Sequence, residues 1–325
     1  MIHLRMVAPA KLAETVLRVL RGVPSVSNVV HLRGAASRPD GDLIMADVAR
    51  EDASALLAEL RTIGLESEGS IALDEVDASL SHRARRAERV AVGSPADAVI
   101  WEEVEARTSE STELSFTFLA FMVLATLIGA VGILTDSIIL IIGAMVVGPE
   151  FGPLAAICVA LVTGRGGLAR RSVSALTVGF PLAIAGSAAL TLILRAADEA
   201  PEDVQHPETL FISDPNIYSV LVAAFAGIAG MLSLSTAKSG ALIGVLISVT
   251  TIPAAANVGV AAAYGNWDEC FGAALQLAIN ISTIVVVGVG TLAAQRALYV
   301  RRRRRFHDRL TRRAGGTREF DGSAE

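Results

Sequence analysis

One carboxylate stands inside a long apolar stretch. Glu150 lies in Gly143-Ala-Met-Val-Val-Gly148-Pro149-Glu150-Phe151-Gly152-Pro153, a run otherwise suited to hydrocarbon. A charged side chain at the centre of a bilayer costs several kcal/mol, by contested values about 3 or more, so it must be neutralised, paired or hydrated. Such a group can relay a proton or cation, or bind a substrate. Its plainer role is a carboxyl that bonds to backbone and locks the chain locally. Pro149 and Pro153 remove two amide donors and clash with the preceding turn. Each also pushes the residue before it, Gly148 or Gly152, away from helical angles. A regular helix is not expected through here. Carbonyls freed by the break have to be buried in protein or line a wet cavity. The half-helix that follows turns unpaired amides toward mid-depth, a place for an anion or a dipole.

Two further polar sets accompany the first. Ser248, Thr250, Thr251 and Asn257 surround Pro253 in a second apolar run. Gln276, Asn280 and Thr283 recur at i, i+4 and i+7, one stripe of a helix that should face the protein interior. Part of this set is interhelical glue, worth on the order of 1 kcal/mol per group. The candidate transport or binding residues are therefore Gly148, Pro149, Glu150, Gly152, Pro153, Thr250, Thr251, Pro253, Asn257, Gln276 and Asn280. Asp136 reads as a helix-end charge. His3, His31 and His82 are scattered and read as ordinary surface or strand histidines. Cys158 and Cys270 are too far apart in sequence to suggest a disulfide framework or a cysteine metal cluster. The chain has no HExxH, no clustered histidines and no paired aspartates in its apolar runs, so neither an enzyme, a metal nor a cofactor is expected.

The elements that must position these groups are membrane spans. Of 325 residues, 52% are hydrophobic and 19% charged, and the mean hydropathy is +0.53. That is too apolar for a soluble two-domain enzyme. A bilayer core about 30 Å thick needs roughly 20 apolar residues per helix. Six candidates meet this: Ser115–Leu134, Ser137–Thr163, Ser172–Leu194, Ile217–Leu234, Ser239–Ala263 and Phe271–Ala294. The second and fifth are long and broken by proline. Basic connections (Arg165, Arg170 and Arg171; Lys238; Arg296 and Arg301–Arg305) alternate with non-basic ones. The latter include Ala196–Asn216, with six carboxylates and no Lys or Arg. Cytoplasmic loops collect Lys and Arg, so both termini are expected in the cytoplasm of a plasma-membrane, multi-pass protein. The first twenty residues contain no apolar h-region, so no cleavable secretion signal is expected.

Segments 1–3 and 4–6 match in layout at an offset of one hundred residues. Ile128 corresponds to Ile228, Leu134 to Leu234, Pro153 to Pro253, and Ala155 and Ala156 to Ala255 and Ala256. Three crossings end on the side opposite their start, so a second copy must insert upside down. The expectation is a 3+3 inverted repeat whose broken helices 2 and 5 face each other near mid-depth.

The front end is water-soluble in character. β-like runs at Ile2–Val7, Val26–Leu32, Leu43–Val48 and Ser70–Val76 alternate with helical patterns at Ala10–Leu20 and Asp52–Ile63. This βαββαβ order predicts a ferredoxin-like cytoplasmic domain, with a regulatory or oligomerising role as the functional expectation. Ser94 and Pro95 look like a helix start, and the helix Pro95–Glu113 joins this domain to the first span. The organisation is then a ferredoxin-like domain over 1–78 and a linker with a juxtamembrane helix over 79–114. An α-helical polytopic domain of six transmembrane helices follows over 115–295, and a basic tail over 296–325. Arg301–Arg305 follows the last span directly and reads as an anionic-lipid contact, not as a nucleic-acid site. Small residues crowding the spans fit a tight bundle or a homo-oligomer.

Certain motifs carry a resemblance. Leu134-Thr-Asp136-Ser, Gly143-Ala-Met145 followed by Gly148-Pro149 and Gly152-Pro153, Ser239-Gly240-Ala leading to Pro253, and Asn280 resemble a bacterial membrane family. It is known as domain of unknown function 389, an uncharacterised hydrophobic-domain family. The resemblance covers roughly Phe116–Ala294. It implies an apolar residue where Glu150 stands in many relatives, which moves weight to Pro149, Pro153 and Asn280. It brings no substrate. The functional expectation is a transporter or channel for a small solute or ion with a cytoplasmic regulatory domain; the alternative is a membrane sensor or scaffold without flux.

Overall fold

The computed structural model describes residues 1–76, 81–91, 93, 98–110, 112–201, 212–236, 244–245 and 250–320, with side chains as far as Arg301 apart from that of Glu110. The described chain forms two compact units, Met1–Glu102 with Gln295–Glu325, and Glu103–Ala294.

In the first unit, alternation of residue type builds a sheet. Ile2, Leu4, Met6 and Ala8 are buried along β1 (Ile2–Ala8), while His3, Arg5 and Val7 take the other face, as the period of two in a strand requires. Next come α1 (Ala10–Gly22), β2 (Val26–Ser37), β3 (Asp40–Val48), α2 (Arg50–Thr62), the one-turn α3 (Leu65–Glu68) and β4 (Ser70–Glu75). The sheet order is β2-β3-β1-β4 and every pairing is antiparallel. Val16, Leu17 and Leu20 of α1 and Leu56, Leu57 and Leu60 of α2 fill one core with the β1 side chains. Each contributes roughly 1.5–3 kcal/mol by burial.

The expected helix from Pro95 is shorter than its pattern. Ala98–Ile100 are not helical, and α5 begins after them, after the nine-residue α4 (His82–Val90), and spans Trp101–Glu110. The reason is local. The Ala98 carbonyl accepts a hydrogen bond from Arg50 Nε at 3.3 Å, and Ile100 is buried in the first core. These contacts hold the segment outside the helix. Ser94 and Pro95 lie outside the described residues.

The second unit is helical: α6 (Phe116–Leu134), α7 (Ile138–Val147), α8 (Phe151–Thr163), α9 (Gly166–Ala196), α10 (Ile217–Ser235), α11 (Thr251–Tyr264) and the start of α12 (Trp267–Phe320). Among the described residues, four stretches are long and apolar enough to cross a membrane as single helices: Phe116–Leu134, Gly166–Ala196, Ile217–Ser235 and Trp267–Arg301. The α7 and α8 pair passes together as a fifth, bent by 50°. Of the expected span Ser239–Ala263, the second half is α11. Ser239, Gly240 and Ser248, and Lys238 just before them, lie outside the described residues, as do residues 202–211 of the acidic loop before Asn216. Past Ala294, α12 continues unbroken to Phe320.

Local features of the second unit recur along the chain. Ser115 Oγ accepts from the Phe118 amide at 3.1 Å and opens α6; Asn216 Oδ1 accepts from Tyr218 and Ser219 at 2.9 and 3.1 Å and opens α10. Those helices close on Thr135 and Thr236, both at φ −102° and ψ 5°. Helices α8 and α11 close on Gly164 and Gly265, at φ +77° and +73°, left-handed angles that glycine adopts without a Cβ penalty. All of these pairs are separated by 101 residues, one more than the offset that aligns Pro153 with Pro253.

One contact within each half recurs at the same offset, and one contact between the halves recurs with its partners exchanged. Thr126 Oγ1 on α6 donates to the Ala183 carbonyl on α9 at 3.1 Å. Gly227 on α10 lies against Ile284 on α12, where a Cβ would meet its carbonyl at 3.3 Å. Gly259 on α11 lies against Ser187 on α9, and Cys158 on α8 against Gly288 on α12.

Candidate functional site

Two helix starts meet at Glu150. Pro149 and Pro153 interrupt the hydrogen-bond ladder, so α7 ends at Val147 and α8 begins at Phe151 with Glu150 at its cap. Gly148 sits between them in extended geometry. It has no room for a side chain: a Cβ there would lie 2.6 Å from Ile252 Cγ1 and would collide with Glu150 Oε2. α11 starts opposite with Thr250 at its cap and Thr251 as its first residue. Thr251 Oγ1 donates to Glu150 Oε1 at 2.6 Å.

A second run of bonds starts one residue away. Asn280 Nδ2 donates to Thr250 Oγ1 at 3.0 Å, and Gln276 Nε2 donates to Asn280 Oδ1 at 3.2 Å. Gln276 and Asn280 are one turn apart on α12, so the expected stripe faces inward. Glu150, Thr251, Gln276 and Asn280 are each no more than 3% exposed. Pro153 and Pro253 are buried in the first turns of α8 and α11, with Pro149 and Gly152 half-buried.

Asn257 does not join this group directly. Its Nδ2 donates to Glu269 Oε1 at 3.0 Å, and Glu269 Oε2 accepts from Asn266 Nδ2, also at 3.0 Å. Glu269 falls between the expected spans Ser239–Ala263 and Phe271–Ala294, and the structure puts it in the first turn of α12. A signal was available: 269, 276 and 280 fall on one helical face at i, i+7 and i+11.

The chemistry of the unsatisfied atoms is uniform. Glu150 Oε2, Asn257 Oδ1 and Gln276 Oε1 are buried without a hydrogen-bond partner among the described residues, and all three are oxygens. A buried polar atom left unpaired costs about 1–3 kcal/mol. Acceptors in this state suit a donor or a positive charge. No group of three or more His, Cys, Asp or Glu able to hold a metal occurs among the described residues, and both cysteines are free.

The first unit places its polar pairs differently. His3 Nδ1 meets Asp47 Oδ1, and His31 Nε2 meets Asp42 Oδ2, both at 2.7 Å. The backbone amide of Gly34, and then His31, hold the Asp42 carboxyl below its ordinary value of 3.8. These histidines are bonded across strands (β1 to β3, and β2 to β3) and not gathered at one point.

The apolar helices fit a membrane-embedded protein. Within that class the chain carries a recognisable domain: residues 145–286 match the family model described as domain of unknown function 389 (DUF389). This is the family that the glycine–proline motifs resemble. The matched stretch runs from the end of α7 into α12 and so contains Glu150, Thr250, Thr251, Gln276 and Asn280. Over 193 residues the chain is 27% identical to an uncharacterised protein of Methanocaldococcus jannaschii, so relatives are not confined to bacteria. The chain spans 58% of that relative's length, with 58% of its own residues aligned. No solved structure matches.

Proposed function

We propose that this protein is a transporter or channel for a small solute or ion in the cytoplasmic membrane, with its site at the break beside Glu150. Its membrane part is a 3+3 inverted repeat of six spans with helices 2 and 5 broken, and both termini lie in the cytoplasm. The front end is a ferredoxin-like regulatory domain, in keeping with the β2-β3-β1-β4 strand order. The protein is a homo-oligomer, touches anionic lipid through Arg301–Arg305, binds no nucleic acid and catalyses no covalent reaction.

The observation that carries the proposal is the Thr251–Glu150 hydrogen bond, made across two facing helix starts between residues 101 apart in the chain. The recurring caps and the partner-exchanged contacts support the repeat, since a two-fold relation between halves turns a contact i–j into its counterpart with the halves swapped. A general property of inverted-repeat transporters supports a site at this place: their broken helices meet at the repeat interface near mid-depth and hold substrate or ion there.

The direct test is flux into proteoliposomes across a panel of ions and small solutes. Glu150→Gln and Asn280→Ala are each expected to lower it at least tenfold; flux unchanged in both removes the assigned site. The complete burial of Glu150, Thr251 and Asn280 favours one rival, a sensor or scaffold whose interior stays sealed. That rival predicts no flux of any panel member above empty liposomes.

A further inference from the structure

We infer that Glu150 and Thr251 form a binding site for one small monovalent cation, of the sodium type, at the facing starts of α8 and α11. This deepens the transport reading given above and names the charge and class of what the break holds.

The position follows from the two helix starts. Glu150 caps α8 and Thr250 caps α11, and the carboxylate bonds to the residue after the facing cap. In the inverted-repeat arrangement such a place lies at mid-depth between the halves, as access from alternating sides requires.

The charge follows from what is present. Glu150 is 3% exposed, and its Oε2 has no partner among the described residues. The facing Thr251 hydroxyl is committed to Oε1. Pro149 and Pro153 deny helical amides to the carbonyls of Met145 and Pro149, two oxygens at the edges of the same break. One carboxylate balances one positive charge. A divalent ion would keep an uncompensated charge in a medium of low dielectric, at a cost of several kcal/mol. A proton on Oε2 is the competing neutraliser, and the acidification arm of the test tells the two apart. A monovalent cation uses the oxygens as they stand. The Thr250–Asn280–Gln276 run fixes the neighbouring helix start, so Thr251 is held ready on its side of the ion.

The test uses the full chain in nanodiscs of phosphatidylcholine and phosphatidylglycerol. Thermal unfolding is followed by circular dichroism in rising NaCl, with choline chloride holding ionic strength constant. Sodium is expected to raise the melting temperature saturably, by roughly 5–10 °C when it exceeds its Kd about a hundredfold. Thr251→Ser keeps the rise, Thr251→Val weakens apparent affinity about tenfold, and Glu150→Gln abolishes it. A second measurement needs no variant: dicyclohexylcarbodiimide labels buried carboxyl groups, and sodium should slow labelling of Glu150 as read by mass spectrometry. Coincident NaCl and choline curves with labelling unaffected by sodium overturn the proposal. So does a rise that survives Glu150→Gln, one that follows acidification without sodium, or one that is larger in CaCl2. Sodium binding without flux leaves the site and removes the transport reading; flux of another solute without any sodium effect does the reverse.

Discussion

His31–Asp42 in the first unit and Thr251–Glu150 in the second are bonds of nearly equal length, 2.7 and 2.6 Å, in opposite surroundings. His31 and Asp42 keep 18% and 14% of their side chains open, so water competes for both. Glu150 and Thr251 keep 3% and 1%. Breaking the first bond returns its partners to solvent. Breaking the second leaves a carboxylate with nothing to turn to. The comparison teaches that bond length says little about what a polar contact is worth. The alternatives open to each partner decide it.

Four substitutions in the full chain can break or sharpen this contrast. The largest effect is expected where neither polar set is involved. Leu4→Ala empties a fully buried place in the sheet core and should cost about 2–5 kcal/mol, read as earlier loss of the β signal by circular dichroism with the helical signal retained. If the helical signal falls with it, the two units do not melt separately. Thr251→Val removes the donor to a buried carboxylate while keeping the shape. About 1.5–3 kcal/mol is expected, the range for hydrogen bonds to charged groups, measured by thermal unfolding in detergent against Thr251→Ser. Asn280→Ala should cost less, on the order of 1 kcal/mol. An Asn280→Ala loss larger than that of Thr251→Val would move the centre of the site from Glu150 to the α12 stripe.

The smallest effect belongs to Asp42. Its carboxyl lies below its ordinary value in the folded chain. The stability it lends is therefore complete above that ordinary value and disappears as pH falls through the lower folded one. Asp42→Asn should remove the part of the sheet's acid destabilisation that falls below the carboxyl's ordinary value of 3.8, read as melting temperature against pH. Acid melting in that range unchanged by the substitution would mean that another group, not Asp42, titrates with the sheet.

Much of this was legible in the residues alone. Alternation at Ile2–Ala8 and the 3.6-residue spacing of Leu56, Leu57 and Leu60 mark a strand and a helix, because one face of each must leave water. The break at Gly148–Pro153 was legible for a different reason: proline removes a donor wherever it stands. What sequence left hidden depends on partners distant in the chain. Nothing local shows that Ala98–Ile100 are kept out of the helix by Arg50 and by a core built from Ile2 to Leu65, so a capping pattern at Ser94–Pro95 overstated the helix. Glu269 fell outside the apolar spans, and nothing near it in the chain shows that Asn257 on the preceding helix claims it. The arginine run at 301–305 read as the end of a span followed by a tail. Arginine is a good helix former, and α12 continues through it.

The bond between Glu150 and Thr251 also bears on how the sequence can drift. It ties together two stretches far apart in the chain, so a substitution at either position changes what the other must satisfy. An apolar residue at 150 would leave the Thr251 hydroxyl without its acceptor. The two positions are therefore expected to covary among relatives, an acid at one with a donor at the other.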